Sequence, residues 1–260
     1  MNHKSLVFIA ALGFAGAADA TLINRGGGLI YDDVLKITWL QNANYAKTQY
    51  DSSGGVLGDA DGLMDWGTAN TWAANLSYYD SVRNVTYDDW RLPTVKPING
   101  VSFIPVVAGN ATDGTRDFGY NMSAPGTLYA GSTGSELAYM HYQNLGNIGA
   151  YDTGGTATEC FNIASSLGCQ DNTGPFVNLM DTPGTAYWSG TEFEPDTTQV
   201  FFFETYYGEQ GINYKNALYY AWAVRDGDVA AAVPSIPEPA SLALLGIGLA
   251  GMGWARRRRS

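Results

Sequence analysis

Each end of this chain carries an apolar run next to positive charge, and together these two runs limit what can fold as a soluble unit to the stretch between them. Residues 1–20 begin with Lys4, continue through an apolar segment from Leu6 to Ala17, and end in small residues at Ala18 and Ala20. That order reads as a secretory signal peptide cleaved after Ala20, and the apolar segment is too short to span a bilayer as a retained anchor. The opposite end runs from a small-residue linker, 229–236, into Pro237-Glu238-Pro239, an apolar stretch 240–255, and Arg256-Arg257-Arg258-Arg259-Ser260. As a helix that stretch reaches about 24 Å, slightly less than a hydrocarbon core of about 30 Å, so snorkelling arginines or local thinning complete a short transmembrane helix. The arginine cluster stays cytoplasmic by the positive-inside rule, which places residues 21–228 outside the cytoplasm. Both ends thus predict the same route: export through the Sec machinery, with transient anchoring in the inner membrane.

The order Pro-Glu-Pro, short apolar helix, arginine cluster resembles the PEP-CTERM sorting signal over residues 237–260. The resemblance implies an exosortase as a partner that recognises and removes the tail, with the mature protein delivered to the cell surface or the extracellular matrix. An ordinary C-terminal anchor is the alternative.

With both ends removed, nine Lys plus Arg face 23 Asp plus Glu, a net charge near −14. Such a surface repels phosphate backbones and anionic membranes, so no nucleic-acid partner is expected. Cys160 and Cys169 are the only cysteines. They lie in a loop-like stretch of Gly, Thr, Ser and Asn, and in an oxidising compartment they pair, closing a loop worth about 2–3 kcal/mol on the chain-entropy account. A redox pair is the alternative, unsupported by Cys-x-x-Cys spacing or a neighbouring base.

The central stretch is rich in Gly, Tyr, Trp, Asn and Thr and poor in long helical patterns, so strands and loops should dominate. Asp65 is positioned to cap a helix in which Trp66, Ala69, Trp72, Ala73 and Leu76 recur at helical spacing. A second helix is expected over 135–144, with Gly146 as its stop. Strands are expected at 36–40, 186–190, 199–205 and 218–225. The segment 99–132 shows little apolar periodicity and reads as a surface excursion able to carry a binding site.

Six motifs carry a further resemblance: Leu29-Ile30-Tyr31-Asp32-Asp33, Thr38-Trp39, Met64-Asp65-Trp66, Asp89-Trp90-Arg91-Leu92-Pro93-Thr94, Tyr187-Trp188-Ser189-Gly190-Thr191-Glu192 and Ala221-Trp222-Ala223-Val224-Arg225. Together they resemble the Lcl C-terminal domain family, a domain of surface proteins that include collagen-like adhesins. The resemblance implies an α+β, C-type-lectin-like domain, akin also to formylglycine-generating enzymes, with a small twisted sheet, about two helices and long loops. Read physically, Trp39, Trp66, Trp90, Pro93, Trp188, Glu192, Trp222 and Arg225 are scaffold. Arg91 offers a fork of donors for backbone carbonyls or for Glu192 or Asp89.

Catalytic chemistry is thinly supplied, and no catalytic residue is assigned. His141 is the one histidine left after processing, so a histidine triad or His-rich zinc site lacks parts. No cofactor is required; Asp59, Asp61 and Asp65 around Gly62 alternate as hard-cation ligands do, which admits Ca2+, although the loop lacks a closing glutamate. The expectation is an exported, non-catalytic module binding an extracellular glycan or surface protein; the alternative is an extracellular enzyme acting on matrix polysaccharide.

Overall fold

The computed structural model describes residues 21–104, 111–162 and 168–229. The signal peptide, linker residues 230–236, the Pro237-Glu238-Pro239 motif, the apolar segment and Arg256, Arg257, Arg258 and Arg259 lie outside them, whereas Val229, expected to open the linker, is buried with Leu29 and Trp90. Among the described residues no helix is long and apolar enough to cross a membrane.

In chain order the elements are β1 Leu22–Gly26, β2 Leu29–Asp32, β3 Ile37–Leu40, α1 Tyr45–Ser53, β4 Leu63–Met64, α2 Trp66–Ala74, β5 Tyr78–Asp80, β6 Val85–Tyr87, β7 Trp90–Arg91 and β8 Gly119–Tyr120. Then follow α3 Glu136–Tyr139, continued by a π-helical turn Met140–Asn144, α4 Glu159–Asn162, β9 Tyr187–Glu192, β10 Gln199–Glu204, β11 Glu209–Tyr214, β12 Tyr219–Tyr220 and β13 Val224–Asp226. The protein is therefore mixed α and β and sheet-rich, and among the described residues no sheet closes into a barrel. Where one small sheet and about two helices were expected, the strands form a five-stranded sheet in the order β1-β2-β3-β13-β7, a six-stranded sheet in the order β4-β12-β9-β10-β11-β8 and a separate β5-β6 hairpin. Four short α-helices accompany them among the described residues.

The expected strand 218–225 divides into β12 and β13. Ala221, Trp222 and Ala223 between them are buried, and the Trp222 indole N–H donates to the Leu40 carbonyl at 2.7 Å. Burying that ring carries the chain from one sheet to the other, so β12 pairs in the six-stranded sheet and β13 in the five-stranded one. The main core fills the space there, with Trp39 against Trp222 at 4.6 Å, Phe176 against Trp222 at 4.7 Å, and Tyr187, Leu137 and Met140 around them.

Both expected helix starts are present. Asp65 accepts from the Thr68 amide at 2.8 Å, and Ser135 caps α3 from the Ala138 amide at 3.2 Å. The segment 99–132 differs from its expectation as a surface excursion. Phe118, Tyr120 and Met122 are buried, and β8 forms the edge of the six-stranded sheet against β11. Its apolar residues are few and irregularly spaced, so they enter the core one by one rather than as a periodic face.

Candidate binding groove

The motif residues form a scaffold that locks the two sheets together. Trp39, Trp90, Trp188 and Trp222 are buried. The Trp188 indole N–H donates to the Met64 carbonyl at 2.9 Å, that of Trp90 to Tyr87 at 3.0 Å, and that of half-buried Trp66 to Ser189 at 2.8 Å. Pro93 lends its carbonyl to the Gly190 amide at 2.8 Å and to the Ser189 hydroxyl at 2.9 Å.

Arg91 reaches the Leu92 carbonyl as expected, but its ion pairs are neither of the two expected. Its guanidinium grips Glu136 at 2.8 and 2.9 Å and Asp226 at 2.6 Å. The two expected partners are engaged elsewhere: Asp89 forks with Arg225 at 2.7 and 2.8 Å, and Glu192 pairs with Lys215. The Arg225 guanidinium also lies over the Tyr87 ring, 4.5 Å from its centre, and the Asp89 carboxyl is held below its usual range chiefly by its hydrogen bond from Arg225.

Asp59, Asp61 and Asp65 turn their oxygens onto backbone amides. Asp59 accepts from Asp61 and Gly62 at 3.1 and 3.0 Å, Asp61 from Leu63 at 2.9 Å, and Asp65 caps α2. Among the described residues no group of three His, Cys, Asp or Glu is placed to hold a metal ion. His141 is sealed in the core, with Nε2 3.0 Å from the Ile148 carbonyl and its pKa driven down to about 4 by burial.

Cys160 and Cys169 form a disulfide, and both are buried beside Tyr120 and Ala150. Next to them the chain builds a concave site. Behind the π-helical turn, Gly146 takes φ +64°, and the following loop folds back so that Tyr151 bridges to Ala157. The Thr158 hydroxyl donates to the Gly149 carbonyl at 2.7 Å, and the Asn121 side-chain amide donates to Thr112 and Tyr151 carbonyls at 2.7 and 2.8 Å. From below, the buried Tyr142 hydroxyl accepts from the Asn121 amide at 2.9 Å and donates to Gly208. Gly208 sits at φ +64°, where an added Cβ would meet Tyr142 at 2.8 Å, so this hairpin turn between β10 and β11 requires glycine.

These contacts leave a groove of about 360 Å³ bordered by Asn121, Pro125, Asn147, Tyr151, Asp152 and Thr158, among others. Its volume lies within the range of small-ligand sites. Among the described residues, Asp152 is the one charged side chain lining it, and no lysine or arginine does. An aromatic strip continues from its edge: Tyr151 packs on Phe161 at 5.2 Å, and Phe161, 43% exposed, on Tyr207 at 6.1 Å. Sequence reasoning placed Asn121 in a stretch able to carry a site and the disulfide in a loop, but did not find Tyr151, Thr158 or Phe161. The clustering of Tyr151 and Phe161 about Cys160 was the available signal.

Comparison with protein families finds the PEP-CTERM protein-sorting motif over residues 235–259. No curated protein and no solved structure matches the chain. The family match covers the tail and does not extend into the folded part. The tail carries the conclusion: this chain bears an exosortase sorting signal and is an exported surface protein.

Proposed function

We propose that the folded part is a non-catalytic, Lcl-like and lectin-like module that binds a neutral glycan of the extracellular polymer in the groove beside the Cys160–Cys169 disulfide. The observation that carries this reading is a concave, largely apolar groove of about 360 Å³ bordered by the half-buried ring of Tyr151, which packs on the exposed ring of Phe161. Sugar rings present flat C–H faces that stack on aromatic rings, while their hydroxyls find donors and acceptors such as Asp152, Thr153 and the loop backbone. Because the lining carries one carboxylate and no cation, an acidic polysaccharide or a phosphate would be repelled. None of the motif tryptophans or arginines is among the described residues that line the groove.

The test is binding of the exported protein to a panel of neutral and uronate-rich polysaccharides, with release of reducing ends followed in parallel. The reading expects retention on neutral polymers, none on uronate-rich ones, and no release. Preference for the acidic polymers, or steady turnover of any of them, would overturn it.

A further inference from the structure

Ser123 is unfavourable in two independent ways. Its backbone sits at φ +67°, the left-handed region that side chains disfavour. Its hydroxyl, in a residue only 1% exposed, has no hydrogen-bond partner among the described residues. The main chain around it is firmly held: the Ser123 carbonyl accepts from the Gly131 amide at 2.8 Å and from the Gln143 side chain. A glycine would suit the backbone and would leave no orphan hydroxyl. Where a sequence departs from local preference twice at one position, the side chain is serving a contact.

The surroundings identify that contact. Ser123 lines a cavity of about 10 Å³ whose polar lining comes from Lys96, Asp117, Ser132, Ser135 and Gln210 and whose apolar lining comes from Ile98 and Met122. That is the room one water molecule occupies, and buried waters settle where two to four polar groups converge. Most of the lining is already matched. Ser135 donates to Gln210 at 2.5 Å, Gln210 donates to the Asp117 carbonyl at 2.8 Å, and Ser132 donates to the Ile98 carbonyl at 3.2 Å. Asp117 accepts one amide on each carboxylate oxygen, from Ile98 at 2.6 Å and Ile104 at 2.7 Å, which leaves it a free lone pair on each. A hydroxyl lacking a partner and a buried carboxylate with spare acceptor sites thus border the same small space. Burial also raises the Asp117 pKa, as expected of a carboxylate that its two amide donors do not fully stabilise.

We infer that this cavity is a binding site for one long-lived water molecule, with the Ser123 hydroxyl and the Asp117 carboxylate as its partners. The water bridges the two ends of the 117–123 segment and, through the amides that Asp117 accepts, the 98–104 loop.

Oxygen-17 relaxation dispersion of the exported protein counts long-lived internal waters. Ser123→Ala should lose one such water and melt about 2–4 °C lower. Ser123→Gly, which suits the backbone, should lose the same water. An unchanged count in both variants overturns the site, whatever the melting temperature does. So does a Ser123→Ala variant that keeps the water and melts higher, the result expected from deleting a merely orphaned hydroxyl. In a high-resolution crystal structure the account requires an oxygen within hydrogen-bond distance of Ser123 Oγ; a sodium ion there, with contacts near 2.4 Å, contradicts it.

Discussion

Arg91 in β7 and Glu136 in the first turn of α3 meet through two parallel hydrogen bonds of 2.8 and 2.9 Å, and the same Glu136 accepts from the Thr94 amide at 2.7 Å. The pair ties the edge of the five-stranded sheet to the helix that leads into the groove floor. Asp226, the other partner of Arg91, has a side chain that is 79% exposed. The two carboxylates therefore differ in weight. Glu136→Ala should cost about 2–4 kcal/mol, because it leaves a half-buried guanidinium and a backbone amide without their acceptor. Asp226→Ala should cost less than about 1 kcal/mol, as solvent screens that contact. Urea denaturation of both variants decides the matter, and equal losses would refute the assignment.

The disulfide should be local in its effect. A Cys160→Ser, Cys169→Ser double variant should lose about 2–3 kcal/mol and keep its near-ultraviolet circular dichroism, since the cross-link closes a short loop. Binding to the polymer should weaken more than stability, because Cys160 adjoins Thr158 and Gly149 on the groove wall. Free thiols at both positions in the exported wild type would remove the basis for this expectation.

How much of this was legible in the sequence depends on how local the determinant is. Asp65 and Ser135 announce helix starts because a cap acts within three residues. The tryptophans announce a core because rings of that size are hard to leave in water. The partners of Arg91 were hidden, since strand pairing brings Asp226 to it from the far end of the chain and the start of α3 brings Glu136. Helix α1 escaped notice because it buries only Ala46 and so shows no apolar face. The groove was equally hidden: Asn121, Tyr142, Tyr151 and Thr158 come from separate turns, and only folding makes them neighbours.

His141 should give the protein an acid-side instability. Its folded pKa is about 4 and its unfolded value about 6.5, so the unfolded chain takes up a proton first as pH falls. Its contribution is fully present above pH 6.5, declines between 6.5 and 4, and falls no further below that. Asp117 and Glu204, with pKa values raised by burial, act in the opposite sense, so the comparison with a variant is the informative one. His141→Gln should flatten the slope of stability against pH between 4 and 6.5. An identical slope in the two proteins would show that His141 is not the titrating group.

The tail predicts its own removal. Mass spectrometry of the surface or secreted protein should find a chain ending near Pro237, without the apolar segment or Arg259. An exported form that retains Arg259 would mean that the motif is present but unprocessed.

The most direct test of the binding role is the affinity of the exported protein for the extracellular polymer of the cells that make it, measured for the wild type, Tyr151→Ala and Arg225→Lys. Tyr151 borders the groove, whereas Arg225 pairs with Asp89 and neither is among the groove's described lining residues. The account predicts at least about a tenfold loss for Tyr151→Ala, equivalent to about 1.4 kcal/mol, and no change for Arg225→Lys in protein that remains folded. Equal affinity of Tyr151→Ala and wild type, or no binding by the wild type at all, would contradict it.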